Sequence, residues 1–225
     1  MTSCGYRPGT HASPPSETGT ELNSQTPFQT LIAPRDIVPG DIAPGDTTQQ
    51  PSSALREVEP AAGGLTIRVS SGAGHGATRL AAFDAALLSA GVADFNLVRL
   101  SSVIPPHSLV REVDQAEQLP GGHGDLLYCV YADAYASRPA EMAWAGVAWS
   151  VREHGPGGGL FVEHTGAARS LVERDLDLSL DALSRGRGGG FVERGRRMES
   201  AECVEGHACA LVVASYARSG WGSDD

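Results

Sequence analysis

Apolar and polar residues alternate in short blocks from residue 65 onward, and these blocks predict a series of strands. The first, Leu65–Val69, alternates with period two. The glycine-rich segment 70–78 lacks the G-x-x-x-x-G-K-[ST] pattern of a phosphate-binding loop, so it is predicted to be a tight strand-to-helix turn. Further strands are predicted at residues 95–100, 126–136, 142–151, 160–164, 191–204 and 207–218.

Two other stretches carry apolar residues at helical spacing, which predicts helices at 78–90 and 167–184. Gly91 is a natural stop for the first. The apolar stripes are Leu80, Phe83, Leu87 and Leu88 on the first helix, and Val172, Leu176, Leu180 and Leu183 on the second. Two main helices with six or seven strands predict an α+β fold, an αββα-type sandwich of mainly antiparallel strands.

The first sixty residues break this pattern. They hold nine of the fourteen prolines and show no sustained apolar periodicity. Such a segment buries too little apolar surface to offset its chain entropy, so residues 1–60 are predicted to be a disordered extension rich in Pro, Ser and Thr. Residues 61–225 remain as one domain.

Charge and cysteine content narrow the class of protein. The formal net charge of −10 argues against nucleic-acid and membrane partners, which call for basic patches. No secretory signal and no run of eighteen apolar residues is present, so we expect a cytoplasmic protein. The four cysteines lack close paired spacing and predict free buried thiols, and the histidines lack ligand spacing, so no metal site is predicted.

All seventeen basic residues are arginine, and the chain contains no lysine. Pyridoxal-phosphate enzymes hold their cofactor through a lysine Schiff base. The composition therefore excludes pyridoxal phosphate as the cofactor for amino-acid chemistry.

Asp84 falls between Leu87 and Leu88 in direction on the first predicted helix, inside the apolar stripe. A buried carboxylate needs a cation or hydrogen-bond donors. One interpretation is an ion pair with Arg79 or Arg99, or a bond from a backbone amide. The other is that Asp84 receives the positive end of a substrate, since a carboxylate can hold a guanidinium in a bidentate grip.

Two adjacent serines, Ser101 and Ser102, follow an apolar strand and precede Val103-Ile104-Pro105-Pro106. The double proline blocks further strand pairing and fixes an extended exit. By themselves these residues are an ordinary strand end.

Together with their surroundings, however, they resemble the pyruvoyl-dependent arginine decarboxylases. That family shows an A-F-D-x-A-L helix, an A-G-[IV] stop and the string N-L-[IV]-x-x-S-S-[IV]-x-P-P. The matching residues here are Ala82–Leu87, Ala90–Val92 and Asn96–Pro106, and looser similarity continues from Gly159–Glu163 to the end. The proline-rich extension lies outside the resemblance.

The resemblance implies self-cleavage between Ser101 and Ser102, which leaves a covalent pyruvoyl group at residue 102. It implies that Ser102 attacks the carbonyl of Ser101, that Glu163 is the proton donor in decarboxylation, and that Asp84 binds the guanidinium of arginine. It assigns Asn96 a hydrogen bond at the serine carbonyl or at the bound substrate. Without the resemblance, Glu163 reads as a strand-end surface carboxylate and Asn96 as a turn-starting residue.

The expected activity is therefore decarboxylation of L-arginine to agmatine and carbon dioxide, by a homo-oligomer that is a trimer or a multiple of trimers. Two alternatives stay open. The same cofactor could act on another amino acid, such as lysine or ornithine, or the chain could be an unprocessed, non-catalytic subunit.

Overall fold

The computed structural model describes residues 63–114, 118–152 and 157–221, and of Glu193 only the backbone. The predicted extension, residues 1–60, lies outside these residues. The elements, in chain order, are β1 (Thr66–Gly76), α1 (Arg79–Ser89), β2 (Asn96–Arg99), β3 (Val103–Ile104), β4 (Leu109–Glu112), β5 (Leu126–Ala136), β6 (Met142–Arg152), β7 (Gly159–Gly166), α2 (Arg169–Gly186), β8 (Phe191–Glu202) and β9 (His207–Ser219).

These strands form two sheets. Sheet 1 has the order β2-β5-β9-β1-β4, and sheet 2 has the order β3-β7-β6-β8. The β1–β4 and β2–β5 pairs are parallel, and the other pairs among the described strands are antiparallel. One apolar core fills the space between the sheets, α1 packs on the outer face of sheet 1, and α2 packs on the outer face of sheet 2. The predicted αββα-type sandwich is confirmed.

The glycine-rich segment 70–78 is not a turn, and that prediction was wrong. Strand β1 continues through it to Gly76, paired with β9 along its length. A Cβ built on Gly72 would lie 2.6 Å from the amide nitrogen of Ala90, and one built on Gly76 would lie 2.7 Å from the Cβ of Ala81. The glycines therefore serve the close approach of helix α1 to the sheet, a role that glycine also has inside strands.

This close approach changes the buried face of α1. The predicted stripe is wrong at Leu80 and Leu88, which are 75% and 62% exposed. Ala82, Ala86 and Leu87 are buried instead, because only small side chains fit most of the narrow gap above β1.

Helix α2 follows its predicted pattern more closely. Val172, Leu176 and Leu180 are buried as predicted, whereas Leu183 is exposed and Ser184 takes its place in the interface. His164, the residue after Glu163 on β7, contacts the hydroxyl of Ser179 on α2 at 2.8 Å.

Cys129, Cys203 and Cys209 are free and buried, as predicted; Cys4 lies outside the described residues. Burial raises the pKa of Cys129 to about 12 and that of Cys209 to about 11. No helix in the described ranges is long and apolar enough to cross a membrane.

Candidate active site

Ser101 and Ser102 lie where the chain passes from one sheet to the other. Strand β2 belongs to sheet 1, and Leu100 extends its pairing by donating its amide to the Cys129 carbonyl at 2.9 Å. Strand β3 belongs to sheet 2, where Val103 pairs with Leu160. The chain therefore passes from sheet 1 to sheet 2 at these two serines.

Ser102 has a backbone conformation that is unusual for serine. Its φ is +66°, in the left-handed region, which costs a residue with a Cβ about 1–2 kcal/mol. The conformation is held on the downstream side, because the amide of Phe161 donates to the Ser102 carbonyl at 2.9 Å. Strain of this kind is often found at reactive positions.

The side chain of Ser102 is bound to a carboxylate. Its Oγ donates to Oε1 of Glu163 at 2.5 Å, and both residues are partly buried. Glu163 lies two residues after Phe161 on β7, so both side chains point between the sheets. A carboxylate that accepts a hydrogen bond from a serine hydroxyl is placed to remove the proton of that hydroxyl.

Asp84 is exposed on the outer face of α1, so the prediction that it lies inside the buried stripe was wrong. The two arginines named as ion-pair partners of Asp84, Arg79 and Arg99, each lie over a tyrosine ring. The guanidinium of Arg79 lies 3.7 Å above the ring of Tyr135, and that of Arg99 lies 4.6 Å above the ring of Tyr131. On one protomer, Asp84 faces outward between the exposed side chains of Leu80 and Leu88.

Asn96 lies at the first residue of β2, and its side chain donates to the carbonyl of Gly124 at 2.7 Å. Each residue of a strand advances about 3.3 Å, so Asn96 is separated from Ser102 by the length of β2. Within one protomer the structure thus brings Ser101, Ser102 and Glu163 together, and it brings neither Asn96 nor Asp84 to them.

Two aromatic residues near the end of the chain were missed by the sequence reasoning. Tyr216 packs its ring against Phe161 at 5.9 Å, and its hydroxyl is buried without a hydrogen-bond partner among the described residues. Burial, and after it the negative charge of Glu163, raise the pKa of Tyr216. Trp221 donates its indole N–H to the Gly124 carbonyl at 2.7 Å, the same carbonyl that holds Asn96.

The sequence offered one weak signal for Tyr216, a hydroxyl on the inward, apolar face of the predicted strand 207–218. The sequence gave no such signal for Trp221, because this residue follows the last predicted strand. Among the residues that the structure covers, no group of three or more His, Cys, Asp or Glu side chains could hold a metal ion.

The chain is similar to one described protein family and to several named relatives. Residues 66–220 match the family model described as pyruvoyl-dependent arginine decarboxylase. A pyruvoyl-dependent arginine decarboxylase of Halobacterium salinarum is 38% identical over 161 residues, which is 68% of this chain and 94% of that protein. One of Pyrococcus horikoshii is 37% identical over 106 residues, 46% of this chain and 63% of that protein.

A solved structure of a pyruvoyl-dependent histidine decarboxylase at pH 8 overlaps this chain with a TM-score of 0.33 and 18% identity, over 44% of this chain and 52% of that one. That overlap is too partial to add to the assignment. The family match and the Halobacterium relative each span more than two thirds of the chain. The chain belongs to the pyruvoyl-dependent arginine decarboxylase family.

Proposed function

We propose that this protein converts L-arginine to agmatine and carbon dioxide, after cutting its own backbone between Ser101 and Ser102. The observation that carries the proposal is the 2.5 Å hydrogen bond from Ser102 Oγ to Glu163, at a serine held in a left-handed conformation. The family's named activity supports the same chemistry.

The cleavage step uses residues that already touch. Glu163 takes the hydroxyl proton of Ser102, and Oγ attacks the carbonyl carbon of Ser101, so the peptide C–N bond is exchanged for an ester bond. Loss of the Ser102 Cα proton then breaks the bond between Cβ and Oγ, and Oγ leaves as part of the new carboxylate of Ser101. Water releases the nitrogen of residue 102 as ammonia. The products are fragments 1–101 and 102–225.

The residues fit a pyruvoyl group at position 102. The side chain is half-buried against Glu163, and the residue's own carbonyl is fixed by the amide of Phe161. Such a group supplies a ketone that binds the substrate amine and takes up the electrons released with carbon dioxide. We infer that this group originates from Ser102 and that the reaction uses no metal. Pyridoxal phosphate has no lysine to attach to.

Glu163 then has a second role at the same place. After cleavage it faces residue 102 with a carboxyl group, and it delivers a proton to the alpha carbon of the substrate once carbon dioxide has left. One side chain thus acts as a base during maturation and as an acid during turnover.

Asp84 reaches this site from a second copy of the chain, whereas Asn96 donates to the Gly124 carbonyl within one protomer. We assign the protein to a trimer, or a multiple of trimers, in which α1 of one subunit covers the Ser102 region of the next. The exposed side chains of Leu80 and Leu88 flank Asp84 on α1, and Val103 is exposed directly after Ser102. Apolar side chains beside both halves of the site favour contact between copies.

Arginine is favoured over lysine or ornithine by the carboxylate of Asp84, since a guanidinium accepts a bidentate grip that an ammonium does not. A panel of purified amino acids, with released carbon dioxide as the readout, tests this choice. A clear preference for ornithine or lysine would remove the assigned role of Asp84.

Asp84→Asn is expected to cleave fully but to lose on the order of 10²-fold in kcat/KM for arginine, because a desolvated charge pair loses one partner. Cleavage is measured by intact mass, and decarboxylation is measured on the cleaved protein. Asp177→Asn, an exposed aspartate on α2, is the matched control and should behave as wild type. Wild-type kcat/KM in Asp84→Asn would contradict the proposed guanidinium site.

We further assign residues 61–225 to the decarboxylase domain, which agrees with the family match over 66–220. The disorder of residues 1–60 and the cytoplasmic location stay predictions. An unprocessed, non-catalytic subunit is the remaining alternative. The mass of the purified chain distinguishes it from the self-cleaving decarboxylase.

A further inference from the structure

We propose that Tyr216 is a positioning residue, whose buried hydroxyl becomes the hydrogen-bond donor of Glu163 once the hydroxyl of Ser102 has been lost. The inference rests on the proposed function for its setting, because it concerns the state that follows cleavage.

Tyr216 occupies a bulge in β9. Tyr128 pairs with Ala217 and Cys129 pairs with Ser215, so Tyr216 is the extra residue with no partner on β5. Bulges re-aim a side chain and are common beside active sites. This one belongs to the apolar core between the sheets, where the ring of Tyr216 meets Phe161 edge-on.

Phe161 links this ring to the reactive bond. Its amide holds the Ser102 carbonyl at 2.9 Å, and Glu163 follows two residues later on the same face of β7. Tyr216 therefore lies on the opposite sheet, against the strand that carries the acid.

The hydroxyl of Tyr216 lacks the hydrogen bond that a buried polar group normally makes. The residue is 7% exposed, and its hydroxyl has no hydrogen-bond partner among the residues described. A buried polar group without a partner costs about 1–3 kcal/mol, so such groups are rare and call for an explanation. Burial and the charge of Glu163 raise the pKa of Tyr216, which keeps the hydroxyl protonated and able to donate.

The atoms of the cleavage reaction supply the explanation. Before cleavage, Glu163 is held by Ser102 Oγ. During cleavage that oxygen leaves with Ser101, and the carboxyl group of Glu163 loses its donor. Tyr216 offers an unused donor from the opposite sheet, against the strand that carries Glu163, so a change of partner keeps Glu163 fixed for turnover.

Stability in an uncleavable background tests this without any activity. Ser102→Ala removes Oγ and leaves the chain intact, so Tyr216 should already hold Glu163 in that variant. Adding Tyr216→Phe should raise the unfolding equilibrium constant roughly tenfold or more, the usual effect of losing a hydrogen bond to a charged group. The matched control is Ser184→Ala in the same background, because it removes another buried hydroxyl without a described partner, on α2.

Turnover gives the second readout. The cleaved Tyr216→Phe enzyme should keep its KM for arginine within about twofold and lose roughly tenfold in kcat, since the positioned acid, not substrate binding, is disturbed. The inference is overturned if Ser102→Ala/Tyr216→Phe is as stable as Ser102→Ala, or if kcat of the Tyr216→Phe enzyme equals that of wild type. Failure of wild-type cleavage would instead overturn the proposed function.

Discussion

Ser102→Ala is expected to give one uncleaved chain of 225 residues with no measurable decarboxylase activity. The variant lacks the only oxygen that can attack the Ser101 carbonyl from residue 102, and without cleavage no ketone forms at that position. Denaturing electrophoresis and carbon dioxide release measure the two effects.

Ser101→Ala is the control for this variant. It keeps the nucleophile and the attacked carbonyl and changes only the neighbouring, exposed side chain. It should still yield two fragments. Cleavage of Ser102→Ala, or a fully active uncleaved chain, would contradict the role given to Ser102.

Glu163→Gln should damage both steps. The amide keeps the size of the carboxyl group but neither accepts the Ser102 proton nor donates one to the substrate carbon. General acid–base catalysis contributes about 10²–10⁴-fold, so we expect losses of that order in the cleavage rate and in kcat of whatever fraction is cleaved.

The cleaved fraction is counted by intact mass before kcat is calculated, which separates the two roles. Glu205→Gln, an exposed glutamate in the turn between β8 and β9, is the control and should match wild type. If Glu163→Gln matured and turned over at wild-type rates, both roles of Glu163 would be wrong.

The strand pattern was readable from sequence where a strand is a long run of mostly apolar residues. Strand β5 was predicted at residues 126–136, the bounds it has in the structure, because each of its faces is covered by a different apolar layer. Strand β4 was missed: its four residues at the edge of sheet 1 are too few to form a pattern.

Helix α1 shows where pattern reading fails. Leucines mark a buried face only if the neighbouring layer leaves room for them, and the glycines of β1 leave room mostly for alanine. Leu80 and Leu88 are therefore exposed to solvent, and so is Asp84. No property of α1 alone reveals this, because the spacing is set by residues in another element.

The candidate site shows a similar limit. The pair Ser101-Ser102 and the distant Glu163 were reachable through the family's motif, but their contact depends on β3 crossing to sheet 2 beside β7. The role suggested for Tyr216 depends on a bulge that only the pairing of β5 with β9 reveals.

Intact-mass measurement of the purified wild-type chain tests the central claim most directly. The account predicts two species, residues 1–101 ending in a normal carboxylate and residues 102–225 beginning with a pyruvoyl group. The second fragment should take up a carbonyl-reactive reagent such as a hydrazine. A single species with the mass of the whole chain, in a preparation that decarboxylates arginine, would contradict it.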